Sequence, residues 1–432
     1  MSAAQPAAPD RETPGDEAPF AAETSMTSPR IAALASAVEA GNQEAVEEFW
    51  KEAAETGSPL MEPTDDASLT LVTFLWRDPG DTENVIVLFC SAPSGDLREF
   101  RMQRMPGTDL WYRSYLMPSR LRTTYLLSVN DPMEPFESYA EVLRRLPEYE
   151  PDPLNPREYT LTGDRDRFRV SVLELPAAPK QPWNIPRRGV PKGHSRMQTM
   201  DSAVLGTRHH VSVHTPPGYT DDGDEYHVFL LFDGWSYYNF AAITTVMDNL
   251  LYAGRIPPYV LVMHTNEDQE IRARELTCHD PFNAYLNQEL MPWVHANYHI
   301  TSDPAKTVVG GSCFGALAAM YAAHRAPERF GCVISQSGSY WWPGKDVPEK
   351  EEEWLTRRFE ESPKLPIRFS MDIGSLERSI VDHDPMTSHR NMVAALEKKG
   401  YEVDFSEFLG GHDMVCWRGT VVDRLRSFHP GR

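Results

Sequence analysis

Cys313 stands in Gly311-Ser312-Cys313-Phe314-Gly315, between the β-branched run Thr307-Val308-Val309 and the alanine-rich segment Ala316-Leu317-Ala318-Ala319-Met320. Strand, tight turn and helix make the geometry of a nucleophile elbow, in which Gly-x-nucleophile-x-Gly packs so closely that a Cβ at either glycine would clash. One register satisfies both glycines, because centring the motif on Ser312 would put Phe314 where the second glycine belongs. The expected nucleophile is therefore a thiol at the first turn of a helix, where oriented N–H groups and the positive dipole end favour thiolate. Most free cysteines are small buried hydrophobes, and the glycine frame is what sets Cys313 apart.

Such a nucleophile needs a histidine as general base and a carboxylate to orient it, in the chain order nucleophile, acid, histidine. His412 in Gly410-Gly411-His412-Asp413 follows an expected last strand and meets the first need. For the acid, Asp372-Ile373-Gly374-Ser375-Leu376-Glu377 offers two carboxylates; Glu377 is favoured, because a turn at Gly374 can swing it over the sheet edge, with Asp372, Asp382 and Asp384 as alternatives. An oxyanion hole needs two N–H donors, one just after the nucleophile and one after an earlier strand. Phe314 fills the first position and Trp235, in Asp233-Gly234-Trp235-Ser236, the second. Arg272 and Arg274 follow another expected strand on the same edge and, with Arg418, form a candidate cationic pocket for an anionic substrate group.

The elements that must position these residues fall into zones. Residues 1–28, rich in Ala, Pro, Glu, Asp, Ser and Thr, read as a disordered tail. Residues 29–150 read as a pair of short helices followed by a β-sandwich domain of immunoglobulin-like type, because β-branched and aromatic runs such as 69–76, 84–89, 110–116 and 123–129 alternate with turn signals. Residues 151–192 are dense in proline and charge and read as a linker. Residues 193–432 alternate strand and helix signals, the mark of an α/β domain with a mostly parallel sheet covered on both faces. The elbow falls at the C-terminal end of one of its strands, where open α/β sheets bind ligands.

A formal net charge of −21 leaves no basic surplus for nucleic acid or anionic membranes. There is no apolar run of membrane-spanning length and no secretory signal pattern, so a cytoplasmic location is the expectation. Five cysteines, widely spaced and without Cys-x-x-Cys, indicate reduced thiols rather than disulfides or a zinc ribbon. Cys278-His279-Asp280 holds metal-ligating residue types, but adjacent positions do not converge on one ion, so no metal is expected, and the chemistry calls for no cofactor.

At these residues the sequence resembles the enterochelin esterase family, α/β-hydrolases that open ester bonds of ferric catecholate siderophores. The resemblance runs from about Leu71 to Pro430 and is carried by Thr73-Phe74-Leu75-Trp76-Arg77-Asp78-Pro79, Leu230-Leu231-Phe232-Asp233-Gly234 and Arg272-Ala273-Arg274-Glu275-Leu276. It continues through the stretch from Pro327 to Trp342 and through Gly411-His412-Asp413-Met414-Val415-Cys416-Trp417-Arg418-Gly419. It implies a sandwich capping an α/β-hydrolase domain, with His412 as base and Glu377 as its acid. The family's elbow carries serine where this chain has Cys313. A thiol forms a thioester acyl-enzyme, uphill from an oxygen ester and nearly balanced against another thioester. By resemblance, α/β-hydrolases with cysteine elbows include acyltransferases that move aminoacyl groups between carrier-protein thiols. The expected function is thus cysteine-dependent acyl transfer from aminoacyl or peptidyl thioesters in nonribosomal peptide or siderophore metabolism, with phosphopantetheine arms of carrier proteins as partners. The alternatives are hydrolysis of a ferric siderophore's esters and a non-catalytic module that binds siderophores or carrier proteins.

Overall fold

The computed structural model describes residues 28–89, 97–137, 139–162, 167–343, 351–378 and 383–432; the expected tail, residues 1–27, lies outside them. The first half carries β1 (Leu60–Pro63), β2 (Leu69–Arg77), β3 (Val85–Phe89), β4 (Gln103–Arg104), β5 (Leu110–Pro118), β6 (Arg122–Val129), β7 (Glu158–Thr162) and β8 (Arg167–Glu174). They form two antiparallel sheets, β1-β2-β5-β4 and β3-β6-β8-β7. Alternation along the strands sends Phe74, Phe89, Tyr115 and Tyr125 between the sheets, where Phe74 meets the other three rings edge to face at 4.8–5.9 Å. Two helices, Pro29–Glu39 and Glu44–Thr56, cover the outside of the first sheet through Ile31, Leu34, Phe49 and Trp50.

The reading of residues 151–192 as a linker is corrected here: β7 and β8 lie inside it and complete the second sheet. The prolines at 151, 153, 156, 176 and 179 bracket these strands without interrupting them, so a density of helix and strand breakers concealed Val170 and Leu173, which are buried.

The second half holds one eight-stranded sheet, built from β9 (His194–Asp201), β10 (Arg208–Thr215), β11 (His227–Leu231), β12 (Tyr259–Asn266), β13 (Thr307–Ser312), β14 (Cys332–Gln336), β15 (Arg368–Gly374) and β16 (Glu402–Phe408). The order is β16-β15-β14-β13-β11-β12-β10-β9; β9–β10 and β10–β12 are antiparallel and the other pairs are parallel. This is an α/β-hydrolase sheet. Its central strands are apolar on both faces, as a sheet covered twice requires. Val228, Leu230 and Val309 face one core with the elbow helix, whereas Phe229, Leu231 and Val308 face the other with Ile243, Val246 and Leu425.

The structure adds the helices Gln269–Glu275, Trp354–Glu361 and Met414–Arg426. The last contains Gly419 and several β-branched residues, poor helix formers on their own. Burial of Met414, Val415, Val421 and Leu425, together with an Asp413 N-cap, holds it in place. Among the described residues, no helix is long and apolar enough to cross a membrane. Replacing the fully buried Phe74 by alanine is expected to cost about 3–5 kcal/mol, read as a lowered urea midpoint.

Candidate active site

The elbow forms where β13 meets the helix Phe314–Arg325. A Cβ on Gly311 would lie 2.7 Å from the carbonyl carbon of Gly315, and one on Gly315 would lie 3.0 Å from Asp233 Oδ2. The chain therefore crosses itself with backbone against backbone. Cys313 at the apex takes φ 56°, ψ −124°, a strained conformation for a residue with a side chain. Both line a cavity of about 350 Å3, but Ser312 is buried at 2 % exposure whereas Cys313 is half-buried.

β15 and β16, the last two parallel strands, bring up the other partners. After β15, Ser375 N–H donates to Phe408 O and Leu376 N–H to Gly410 O, which ties the Glu377 turn to the His412 loop. Glu377 is fully buried. Its Oε2 lies 2.6 Å from His412 Nδ1, and its Oε1 accepts from Ser337 Oγ (2.6 Å) and Gly374 N (2.8 Å). Ser337 Oγ in turn accepts from Trp417 Nε1 at 2.8 Å, and the Trp417 ring meets the imidazole edge to face. With Nδ1 on the acid, the other ring nitrogen is left for the Cys313 thiol, and the two groups interact electrostatically.

The alternative acids are occupied elsewhere. Asp372 is a buried residue within β15, 3.7 Å from Arg424 Nε, and burial pushes its carboxyl up to about 7. Asp384 caps the helix Pro385–Lys398 through Thr387, and Asp382 lies outside the described residues.

Two expectations are corrected. Phe314 is the first residue of its helix, so its N–H has no acceptor within the helix and keeps the position expected of it. Trp235 is different: its N–H donates to Thr265 Oγ1 at 2.8 Å, and its ring is exposed. A left-handed Asp233 (φ 54°) turns the chain directly into the helix Gly234–Phe240, which aims that N–H at the neighbouring strand's end. Gly234 serves close packing there, for a Cβ on it would lie 2.5 Å from Met263 Cβ.

Arg272, Arg274 and Arg418 also do not converge. Arg272 lines the cavity and stacks over Phe314 at 5.7 Å, but both its Nε and Nη2 bond to the Asp233 carboxylate, at 2.6 and 2.7 Å. Arg274, two residues on and so about 200° round the helix, turns away to Glu275. Arg418 donates to Gln181 Oε1 at 2.7 Å.

Sequence reasoning missed Ser337, Ser339, Trp417 and Asp233. Ser339 Oγ donates to Cys313 Sγ at 3.5 Å. The signal was available for the serines, since Gln336-Ser337-Gly338-Ser339 leaves the C-terminal end of β14, directly beside β13. Above the elbow the cavity opens against the outer face of the sandwich's second sheet, with Leu88, Leu126 and Val170 on that side and Phe240, Trp341 and Trp417 on the other.

Burial alone would push the Cys313 thiol up, but the His412 imidazolium, with Arg272 behind it, reverses that and brings it down to about 6. Burial alone would likewise depress His412, yet Glu377 and the Cys313 thiolate raise it to about 10. The pair thus rests as thiolate and imidazolium at neutral pH. The arrangement can attack a carbonyl and deliver a proton to the group that leaves. Iodoacetamide is therefore expected to modify Cys313 ahead of the buried Cys278, Cys332 and Cys416, at a rate that rises with pH through about 6 rather than through the ordinary thiol range. Peptide mass mapping across a pH series reads both.

The chain matches the esterase family over residues 202–428 and the family of enterochelin esterase N-terminal domains over residues 71–184. It is 31 % identical to an iron(III) enterobactin esterase of Escherichia coli O6:H1 over 374 residues, 82 % of this chain and 90 % of that one. It is 29 % identical to one of Dickeya dadantii over 432 residues, 92 % and 95 % of the two chains. The crystal structure of ferric enterobactin esterase from Salmonella typhimurium superposes with a TM-score of 0.72 at 29 % identity, covering 88 % of this chain and 98 % of that one. The catalytic fold and the sandwich before it are both matched, and the chain belongs to the enterochelin esterase family of α/β-hydrolases.

Proposed function

We propose that this protein opens ester bonds of an iron(III) siderophore of the enterobactin class, using Cys313 as nucleophile, His412 as acid and base, and Glu377 to orient the imidazole. The observation that carries the reading is the Cys313 thiol at an elbow in reach of a Glu377-bound His412, beneath the cavity that the sandwich covers. The named substrates of the relatives that match both halves of the chain support the substrate class. They support ester cleavage, the alternative in the sequence reading, better than acyl transfer.

Cys313 sulfur attacks the ester carbonyl, a C–S bond forms, and the carbonyl electrons move to oxygen beside the Phe314 N–H. Collapse then has two exits. A thiolate with a low pKa leaves more readily than an alkoxide, so unassisted collapse returns substrate. The imidazolium of His412 decides the outcome by giving its proton to the alkoxide as the C–O bond breaks. Neutral His412 then takes a proton from water, which attacks the thioester; the C–S bond breaks, and thiolate and imidazolium are restored.

The same thioester favours a second reading, transfer of the acyl group to a thiol or amine, including the phosphopantetheine arm of a carrier protein. The apolar lining of the cavity supports it, because such a lining disfavours water as the acceptor. A ferric catecholate would also have to be held with little help from free cations, since Arg272, the arginine among the described lining residues, is already paired with Asp233.

Intact-protein mass after incubation with a ferric siderophore lactone, and separately with aminoacyl thioesters, separates the readings. Ester opening that disappears in Cys313→Ala and falls about 10²–10⁴-fold in His412→Ala supports the esterase. An adduct on Cys313 discharged faster by a carrier thiol than by water supports transfer. No adduct and no turnover would leave a binding module. The pH profile of kcat/KM is expected to be bell-shaped, rising through about 6 as the thiolate forms and falling through about 10 as the imidazolium is lost.

A further inference from the structure

The loops that carry the acid and the base are seated in the sandwich. Leu376, adjacent to Glu377, is a member of the sandwich's own core with Phe74, Tyr115 and Leu127, and Leu409, three residues before His412, packs against the same cluster. Gly410 runs so close to β6 that a Cβ on it would lie 2.8 Å from Arg122 O, and Cys416 Sγ donates to that carbonyl at 3.2 Å.

Asp413, next to His412, joins the two halves. It is 4 % exposed. Oδ1 accepts from Cys416 N at 2.9 Å and caps the helix Met414–Arg426. Oδ2 accepts from Thr124 N at 3.1 Å, Thr123 Oγ1 at 3.2 Å and Thr124 Oγ1 at 3.4 Å, all on β6. Hydrogen bonds to a buried carboxylate are charge-assisted and directional. One carboxylate thus fixes the residue beside the base against two elements of different domains.

We propose that the start of β6, residues 122–124, is part of the catalytic apparatus, and that Asp413 is a positioning residue through which the sandwich sets His412 against Cys313. The sandwich then does more than cover the cavity. The inference rests on the assignment of Cys313 and His412 made above. A displacement of about 1 Å at a reacting group costs on the order of 10²-fold in rate, so a clasp one residue from the base has the leverage required.

The test uses two variants of the full chain. Asp413→Ser keeps a good N-cap residue but is too short to span to β6. Thr123→Val removes one hydroxyl donor from the clasp and does not touch the helix cap. Alkylation of Cys313 across a pH series and steady-state kinetics on a siderophore lactone are the readouts, with Tm measured alongside. The expected result for Asp413→Ser is a thiol midpoint at least one pH unit above the wild-type value near 6, with kcat down about 10²-fold. Thr123→Val should move both in the same direction by less, with KM little changed, and it decides alone if Asp413→Ser does not fold. A lowered Tm with wild-type midpoint and kcat in both variants would make the clasp merely structural and overturn the inference. A wild-type thiol that titrates in the ordinary range would instead overturn the Cys313 assignment, and this inference with it.

Discussion

The active centre depends on one steric contact, the crossing of Gly311 against Gly315. With a Cβ-to-carbonyl distance of 2.7 Å for any larger residue at 311, the strand can reach the helix only through a residue held at positive φ. A strained backbone of this kind costs about 1–3 kcal/mol. The parallel pairing of β13 with β11 and β14, and the burial of the elbow helix, offset it. The strain has a chemical use: it lifts the thiol out of the sheet while its neighbour Ser312 stays in the core. The first N–H of the helix, at Phe314, has no internal acceptor, so the proposed nucleophile and the proposed oxyanion donor come from one turn.

Electrostatics then decide what the thiol is. Cys313 and His412 would each be neutral if only burial acted on them. Glu377 changes this, because it is fully buried, held by Ser337 and Gly374, and aimed at His412 Nδ1. Its charge keeps the imidazole protonated, and the imidazolium keeps the sulfur ionised. A serine at the same elbow would rest neutral and need its proton removed during attack. With cysteine, that proton already sits on His412, and in the proposed ester cleavage the difficulty moves to expelling an alkoxide in preference to the sulfur. The two proposed reactions, hydrolysis and transfer, would therefore share the whole site and differ in which acceptor reaches the thioester.

The two halves are built around a shared boundary rather than joined by a tether. The sandwich's second sheet is apolar on its outer face, and that face forms the wall of the cavity. Leu376 and Leu409 enter its core from the hydrolase side. Binding and positioning thus pass through the same contact.

Much of this was legible in the residues. The glycine frame picked out Cys313 because steric exclusion is local, and His412 followed from chain order after the last strand. The parallel sheet was readable from β-branched runs spaced by helical patterns, and Glu377 from the turn at Gly374. What failed was whatever depends on direction in space. Position after a strand put Arg272 and Arg274 at one sheet edge, with Arg418 as a third candidate for the same pocket, but two residues along a helix reverse a side chain, and Asp233 neutralises the one that faces inward. Trp235 occupied the right position in sequence, yet its N–H was taken by a hydroxyl on β12, a contact no local pattern encodes. The supposed linker supplied two strands because β8 pairs with β6 and β7 in turn pairs with β8, long-range pairings that the flanking prolines hid. The sequence by itself thus determined which residues are candidates for the chemistry, since that rests on residue type and steric fit over a few positions. The tertiary structure alone decided which charges are paired, which donors are taken and which elements hold the loop beside His412, because these are contacts between residues as far apart as Thr123 and Asp413.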